Sequence, residues 1–318
     1  MYLSRSKVRR YLALFLKGAA MGAADVVPGV SGGTIAFISG IYEELIESLR
    51  HIGPSAAKLL WTRGPAAAWE YINGNFLLAV FAGVAASLFS LARIISFAMQ
   101  AYPVLVWSFF FGLVLASVIY VARQLEQWRW VEVVALISGA LLALGIALSN
   151  PAQLPDAWWM IFLAGAVAIC AMILPGISGS FILLLLGLYT TFLRAISELD
   201  LLILASFVAG CACGLVAFSH VLSWLLRRYH GATLATLTGF LLGSLQMIWP
   251  WKHTVTFFEN RHGEMEPLIQ ENVLPGQYAT LMGDDPQLLG AVLAATIGVV
   301  LVLGLELSAQ NGHSNRGQ

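Results

Sequence analysis

Val27-Pro28-Gly29-Val30-Ser31-Gly32-Gly33-Thr34 stands near the amino end of the chain, and Leu174-Pro175-Gly176-Ile177-Ser178-Gly179-Ser180-Phe181 stands in its middle. The two align without a gap at an offset of 147, and Gly40-Ile41-Tyr42 falls on Gly187-Leu188-Tyr189 at the same offset. Each motif interrupts a long apolar stretch, Tyr11 to Ile41 in one case and Ala157 to Ile196 in the other. A proline with several glycines leaves backbone N–H and C=O groups unpaired. Hydrocarbon does not tolerate that, so each break must line protein or a water-filled cavity.

The rest of the chain explains why hydrocarbon is the right solvent to reason in. Of 318 residues, 59% are hydrophobic and 11% charged, against about 25% charged in an ordinary soluble domain. Seventeen Lys and Arg balance seventeen Asp and Glu, so no basic surplus speaks for nucleic acid. Cys170, Cys211 and Cys213 lie in apolar runs, and no His or Cys spacing calls for a metal or another cofactor. A crossing helix needs about 20 apolar residues. Six runs meet that need: Phe76 to Met99, Val104 to Val121, Val131 to Leu148, Leu201 to Leu226, Ala232 to Trp249 and Leu288 to Glu306. The amino end, with Arg5, Lys7, Arg9 and Arg10 before an apolar run, has the look of a secretory signal peptide. Recurrence of the same interrupted segment in mid-chain argues against that reading.

Downstream the copies align at an offset of 127, pairing Gly83 with Gly210, Ser96 with Ser223, Gly112 with Gly239 and Ser117 with Ser244. Shared composition could produce matches of small residues in membrane helices, and accounts far less well for the paired Pro-Gly motifs. The first copy carries about twenty extra residues around Gly53 to Asn75. Each copy then holds one interrupted hairpin and three crossings, an odd number, so the second enters the membrane from the opposite side. The expected architecture is an all-α polytopic membrane protein of one domain, built as an inverted repeat. Repeat one covers about 11–148, and repeat two about 157–306 with a loop at about 251–287. Transporters of this construction place their sites near the midplane, on broken helices.

Short cytoplasmic loops collect Lys and Arg. With both hairpins returning to their side of entry, Arg5, Lys7, Arg9, Arg10, Lys17, Arg50, Lys58, Arg63, Arg123, Arg129, Arg227, Arg228 and Arg316 fall on one side, and Arg93, Arg194, Lys252 and Arg261 on the other. That places both termini in the cytoplasm and the acidic segment Trp251 to Gln287 outside. The arm from Gly33 to Tyr42 is about 15 Å long as helix, which favours re-entry over a full crossing.

A helix restarting after Ser-Gly aims free N–H groups and a positive dipole end at the gap, which suits an anion such as phosphate. The candidate site is therefore Ser31, Gly32, Gly33 and Thr34 with Ser178, Gly179 and Ser180. The other role open to these glycines is close packing of the two tips. Asp25, whose repeat mate is Met172, is either a group that couples transport to a proton or sodium ion or a cap for the nearby break. Arg93, repeat mate of His220, either snorkels to the interface or, like Arg194, meets a phosphate from outside. Glu43, Glu44 and Glu47 read as a solvated cytoplasmic helix face, and Trp128, Trp130, Trp158, Trp159, Trp249 and Trp251 as interfacial belts.

Met21-Gly22-Ala23-Ala24-Asp25-Val26-Val27-Pro28-Gly29-Val30-Ser31-Gly32-Gly33-Thr34, taken with Ile173 to Ser180 and Gly187-Leu188-Tyr189, resembles the bacterial polyprenyl-phosphate transporter family over nearly the whole chain. The resemblance implies a plasma-membrane (inner-membrane) flippase and no enzyme. It would return undecaprenyl phosphate from the outer to the cytoplasmic leaflet, recycling the lipid carrier for peptidoglycan precursors. It also implies a lipid phosphate as substrate and partner, with the head group held at Asp25, Ser31, Thr34, Ser178 and Ser180. Undecaprenyl-pyrophosphate phosphatases share re-entrant hairpins and a Pro-Gly-x-Ser-Arg-Ser motif. Here Gly32 and Gly179 replace that arginine, and a leaving phosphate would lack its electrostatic clamp. A carrier of a small soluble anion is the third reading.

Overall fold

The computed structural model describes residues 2–27, 30–125, 127–149, 152, 154–155, 157–259 and 265–314. Pro28 and Gly29 of the first motif, Arg261 and Glu264 of the acidic segment, and Arg316 lie outside them, as do the side chains of Arg5, Glu259 and Glu266. The first half contains α1 (Tyr2–Asp25), α2 (Gly32–Ile38), α3 (Tyr42–Arg50), α4 (Pro54–Arg63), α5 (Pro65–Tyr71), α6 (Gly74–Ser90), α7 (Ala92–Ala101), α8 (Pro103–Gln124) and α9 (Trp130–Ala147). The second contains α10 (Trp158–Ile173), α11 (Gly179–Leu185), α12 (Tyr189–Glu198), α13 (Leu201–Arg228), α14 (His230–Ser244), β1 (Lys252–Glu259), β2 (Met265–Asn272), α15 (Pro275–Met282) and α16 (Leu288–Ser314).

The first motif parts α1 from α2, and the second parts α10 from α11. In both, the restarted helix has seven residues and begins on the glycine after a serine. Both arms then turn at a glycine with φ of 71°, Gly40 and Gly187, a left-handed conformation that side chains with a Cβ avoid. The next helix starts at Tyr42 and at Tyr189. The offset of 147 thus holds in the backbone from Gly32 to Tyr42.

Two compact units form, Met1–Ser96 with Val121–Ser244 and Phe97–Tyr120 with Leu245–Gln318. In the first, α1 lies along α6, α10 along α13, and α9 along α14. Glycines let these backbones touch. A Cβ on Gly83 would collide with the Phe15 carbonyl and one on Gly18 with that of Val80, while Gly210 stands in the same relation to Phe162 and Gly165 to Phe207. Each contact of the first copy therefore recurs in the second, with 147 added to one partner and 127 to the other. Gly139 is likewise seated on Thr236 and Gly239 on Leu136. Within the second unit, Gly112 is seated on Ala295 and Gly298 on Phe109. These contacts map onto the α9–α14 pair once 159 is added to Leu136 and Gly139. Without a hydrophobic drive between helices in lipid, such close approach is what holds them together.

By length and composition, α8, α9 and α13 can each cross a membrane, and the bent pairs α5–α6 (72°) and α11–α12 (107°) bring the number to five among the described residues. Two of the six crossings expected from sequence differ. The run Phe76 to Met99 breaks at Leu91 between α6 and α7, and Ala232 to Trp249 leaves α14 only 15 residues before it unwinds. The protein is nonetheless an all-α, multi-pass membrane protein apart from one small hairpin.

That hairpin lies in the segment Trp251 to Gln287, where β1 pairs antiparallel with β2 and Lys252 stands opposite Asn272. Its base is fastened within its own unit. Trp249 Nε1 donates to the Val273 carbonyl at 2.9 Å, Trp251 Nε1 to that of Pro286 at 2.9 Å, and Asn272 Nδ2 to that of Gln246 at 2.6 Å. The Lys252 amine donates to the Met247 carbonyl and sits 4.3 Å from the centre of the Trp107 ring. Burial pushes that amine down to about 8. The described part of the segment is a folded element.

Candidate functional site

At the first tip, Asp25 is the last residue of α1, and its Oδ1 accepts the Gly32 N–H at 2.6 Å. Ser31 caps α2, its hydroxyl accepting the Thr34 N–H at 3.3 Å. The same hydroxyl reaches the carbonyls of Met172 and Leu174 in the second copy, at 3.4 and 3.3 Å. The Thr34 hydroxyl accepts the Gly176 N–H at 2.8 Å. A Cβ on Gly33 would lie 2.6 Å from the Ile173 carbonyl oxygen and 2.9 Å from that of Met172. The two interrupted segments therefore meet tip to tip, and buried backbone groups left by one break are satisfied by side chains of the other.

The second tip is built from the same motif without those acceptors. Ser178 caps α11 by position but makes no capping hydrogen bond through its side chain. Its hydroxyl lies 2.8 Å from that of Ser180. Met172 occupies the position of Asp25, and Phe181 that of Thr34. The amino end of α2 is thus filled by Asp25 and Ser31, while among the described residues the N-cap Ser178 does not cap α11 through its side chain.

The structure brings together Asp25, Ser31, Gly32, Gly33 and Thr34 of one copy with the segment Met172 to Gly176 of the other, and Ser178, Gly179 and Ser180 continue directly from it. Of the two roles open to Asp25, the cap is realised in its bond to Gly32, and the close packing open to the glycines is realised at Gly33. Arg93 and Arg194 are exposed, on α7 and α12. Among the described residues no group of three His, Cys, Asp or Glu could hold a metal ion.

One set of residues was not legible as a unit. Glu43, Glu44 and Glu47, read above as a solvated face, are each tied to other helices. Glu44 accepts from Arg10 and from Asn73, both at 3.0 Å, and Glu43 lies 2.9 Å from His230. Glu47 accepts the Ser223 hydroxyl at 2.5 Å and both its neighbour Arg50 and, at 3.9 Å, Arg227 stand beside it. The sequence signal was there in outline, since positive-inside counting puts Arg10, Arg50 and Arg227 on one side of the membrane.

Comparison with known proteins fixes the family. Residues 21–266 match the model of the VCA0040-like, undecaprenyl phosphate translocase-like family. The chain belongs to that family. Among its relatives, the "Polyprenyl-phosphate transporter" of Vibrio cholerae is 50% identical over 304 residues, covering 96% of this chain and 99% of the relative. The protein of the same name from Staphylococcus aureus is 32% identical over 253 residues, covering 74% of this chain and 85% of the relative. Both are named as transporters, in line with the reading of this chain as no enzyme. No solved structure matches the chain. Family membership covers both motifs and the α3 acids, so the tip contacts belong to the part of the chain that the family shares.

Proposed function

We propose that this chain is a flippase for polyprenyl phosphate, undecaprenyl phosphate in particular. It would return the carrier from the outer to the cytoplasmic leaflet of the bacterial inner membrane for re-use in cell-wall synthesis. The observation that carries the proposal is the meeting of two interrupted helices, one with its amino end filled and one without a capping side chain, in a chain of this family. The phosphate head group docks at the amino end of α11 with Ser178, Gly179 and Ser180, next to the α2 tip. Arg93 and Arg194 draw it in from outside, and the prenyl tail stays in lipid between helices. Asp25 couples the movement to a proton or sodium ion.

The same contacts support an inverted repeat. Arg10 near the start of α1 and Asn73 just before α6 both bond Glu44, which supports a start for α1 and α6 at one face of the membrane. Ser223 and Arg227, near the end of α13, bond Glu47 beside them, which supports a start for α13 at the opposite face. The α10 helix accompanies α13 as α1 accompanies α6, which supports entry of the second hairpin from the other side. From Arg10 to Asp25 and from Trp158 to Ile173 is about 22 Å of helix each, which supports tips that meet deep in the bilayer. The distribution of basic residues supports a cytoplasmic side for Arg10 and both termini.

Purified protein in liposomes should speed the movement of a polyprenyl phosphate between leaflets. Flux of inorganic phosphate without lipid movement would move the assignment to a small-anion carrier, and release of phosphate from a polyprenyl pyrophosphate would move it to a hydrolase.

A further inference from the structure

The repeat predicts that each surface helix after a hairpin has a counterpart in an equivalent place, yet α3 and α12 are placed differently. Helix α3 lies along α13, a helix of the other half. It buries Tyr42, Leu45, Ile46, Ser48 and Leu49. Helix α12 packs on α11 and α13 of its own half and buries only Thr191 and Ala195. The mates Leu49 and Ile196 are 5% and 37% exposed. The partner surfaces differ in the same way. Ser219, Leu222, Ser223 and Leu226, one stripe of α13 at helical spacing, are buried, whereas Ser96, the mate of Ser223, is exposed on α7.

The contact made on one side and not on the other is also the one that carries charge. Glu47 of α3 accepts from Ser223 and faces Arg227, both on α13, while Arg50 on its own helix helps hold the carboxylate. His230, just beyond α13, reaches Glu43. No described residue of α12 repeats this arrangement by type, since Thr190, Thr191 and Arg194 stand where Glu43, Glu44 and Glu47 would be.

We propose that the α3–α13 contact, latched by Glu47, Ser223 and Arg227, is a transport gate. The mate surfaces, α12 and the α7 face around Ser96, close when it opens. This rests on the inverted repeat and the transport reading above, and it makes the structure the state closed on the Arg10 side, the cytoplasm. A two-fold related pair of contacts of which only one is made is what alternation between two faces requires. Because each half supplies one partner of the latch, breaking it changes the relation of the halves and not only the stability of one helix.

The test uses the full chain with Cys170, Cys211 and Cys213 replaced by Ala and one reporter cysteine at a time, Leu226→Cys or Ser96→Cys, read by the rate of reaction with a charged methanethiosulfonate. In the Glu47→Ala background the Leu226→Cys reporter should react about tenfold faster, the change that one charge-assisted hydrogen bond supports, and the Ser96→Cys reporter correspondingly slower. Faster reaction at 226 with no change at 96 means local loosening and overturns the gate, as does no change at either. A second arm joins Glu47→Cys to Ser223→Cys with a short cleavable bis-thiosulfonate. Movement of polyprenyl phosphate should stop in the linked protein and return on reduction, and movement that continues while linked also overturns the gate. If the unlinked protein moves no polyprenyl phosphate, the substrate assignment fails, while the reporter pair still decides the gate.

Discussion

At one tip the Gly32 amide is held by Asp25 and the Thr34 amide by Ser31; at the other, Met172 and Phe181 stand in place of Asp25 and Thr34, and Ser178 turns to Ser180. From the restarted helix to the glycine turn the backbone is the same in both, and there the difference is one of side chains. A repeat that only had to pack would have no reason to cap one helix and leave its twin without a capping side chain. Under the proposed function the contrast gives the first tip a structural role, with its hydroxyls spent on the opposite backbone, and the second tip the proposed role of meeting the ligand. Substitutions that make the tips more alike are the direct way to break it.

The largest effect is expected from Gly33→Ser, which copies Ser180 into the first tip. Its Cβ would meet the Ile173 and Met172 carbonyl oxygens at 2.6 and 2.9 Å, backbone atoms that cannot swing aside. Overpacking of this kind costs about 1–3 kcal/mol, and in a contact between the two halves it should abolish transport and lower the melting temperature in detergent. The reverse change, Ser180→Gly, should leave melting unaltered and weaken head-group binding. Wild-type melting of Gly33→Ser would mean that the tips are not in contact.

Next comes Asp25→Asn. Asparagine caps a helix about as well as aspartate, so the bond to Gly32 and the fold should survive while dependence on a proton or sodium gradient disappears. Transport in liposomes with and without an imposed gradient reads this, and coupling equal to wild type would leave Asp25 with its capping role alone.

How far the sequence reached depends on how local the cause was. The break and the restart of a helix after Ser-Gly were legible because proline, serine and glycine dictate backbone geometry within a few residues, whereas the turn at Gly40 and Gly187, which cuts the expected ten-residue arm to a seven-residue helix, was not read from them. The pairing of Gly83 with Gly210 was legible too, and marks a close helix approach without naming the partner. Which carbonyl each glycine would touch, and that Ser31 and Thr34 reach across to residues 172–176, depends on the assembled halves, and no local rule contains it. Glu47 is the clearest case, since a carboxylate at helical spacing after a hairpin looks solvated until Ser223, 176 positions away in sequence, arrives beside it. The break at Leu91 and the β-hairpin after Trp251 were not legible, because an apolar run gives length and not continuity, and a polar segment between crossings has no periodicity strong enough to mark strands.

A smaller effect separates the hydroxyls. Replacing Ser178 and Ser180 together by Ala removes two donors from the proposed head-group site. Neutral hydrogen bonds contribute about 0.5–1.5 kcal/mol each, so affinity for polyprenyl phosphate should fall about tenfold with little change in melting. Ser31→Ala should do the opposite, lowering stability by about 1 kcal/mol with affinity close to wild type. If Ser31→Ala were the variant that lost affinity, the roles of the two tips would be exchanged.

The smallest effect tests the half of the comparison that claims sameness. Gly40 and Gly187 share a φ of 71°, where a residue with a Cβ loses about 1–2 kcal/mol. At Gly40 an added Cβ has nothing within 4 Å, so the cost there is backbone strain alone. Gly40→Ala and Gly187→Ala should therefore destabilise to the same extent, within about 0.5 kcal/mol, as read by thermal unfolding of the two variants side by side. Equal losses would mean that the two arms turn by one mechanism and that function parted them only at their tips. A clear inequality would place the divergence earlier, in the backbone itself, and the side-chain differences at Asp25, Thr34, Met172 and Phe181 would then be its consequence.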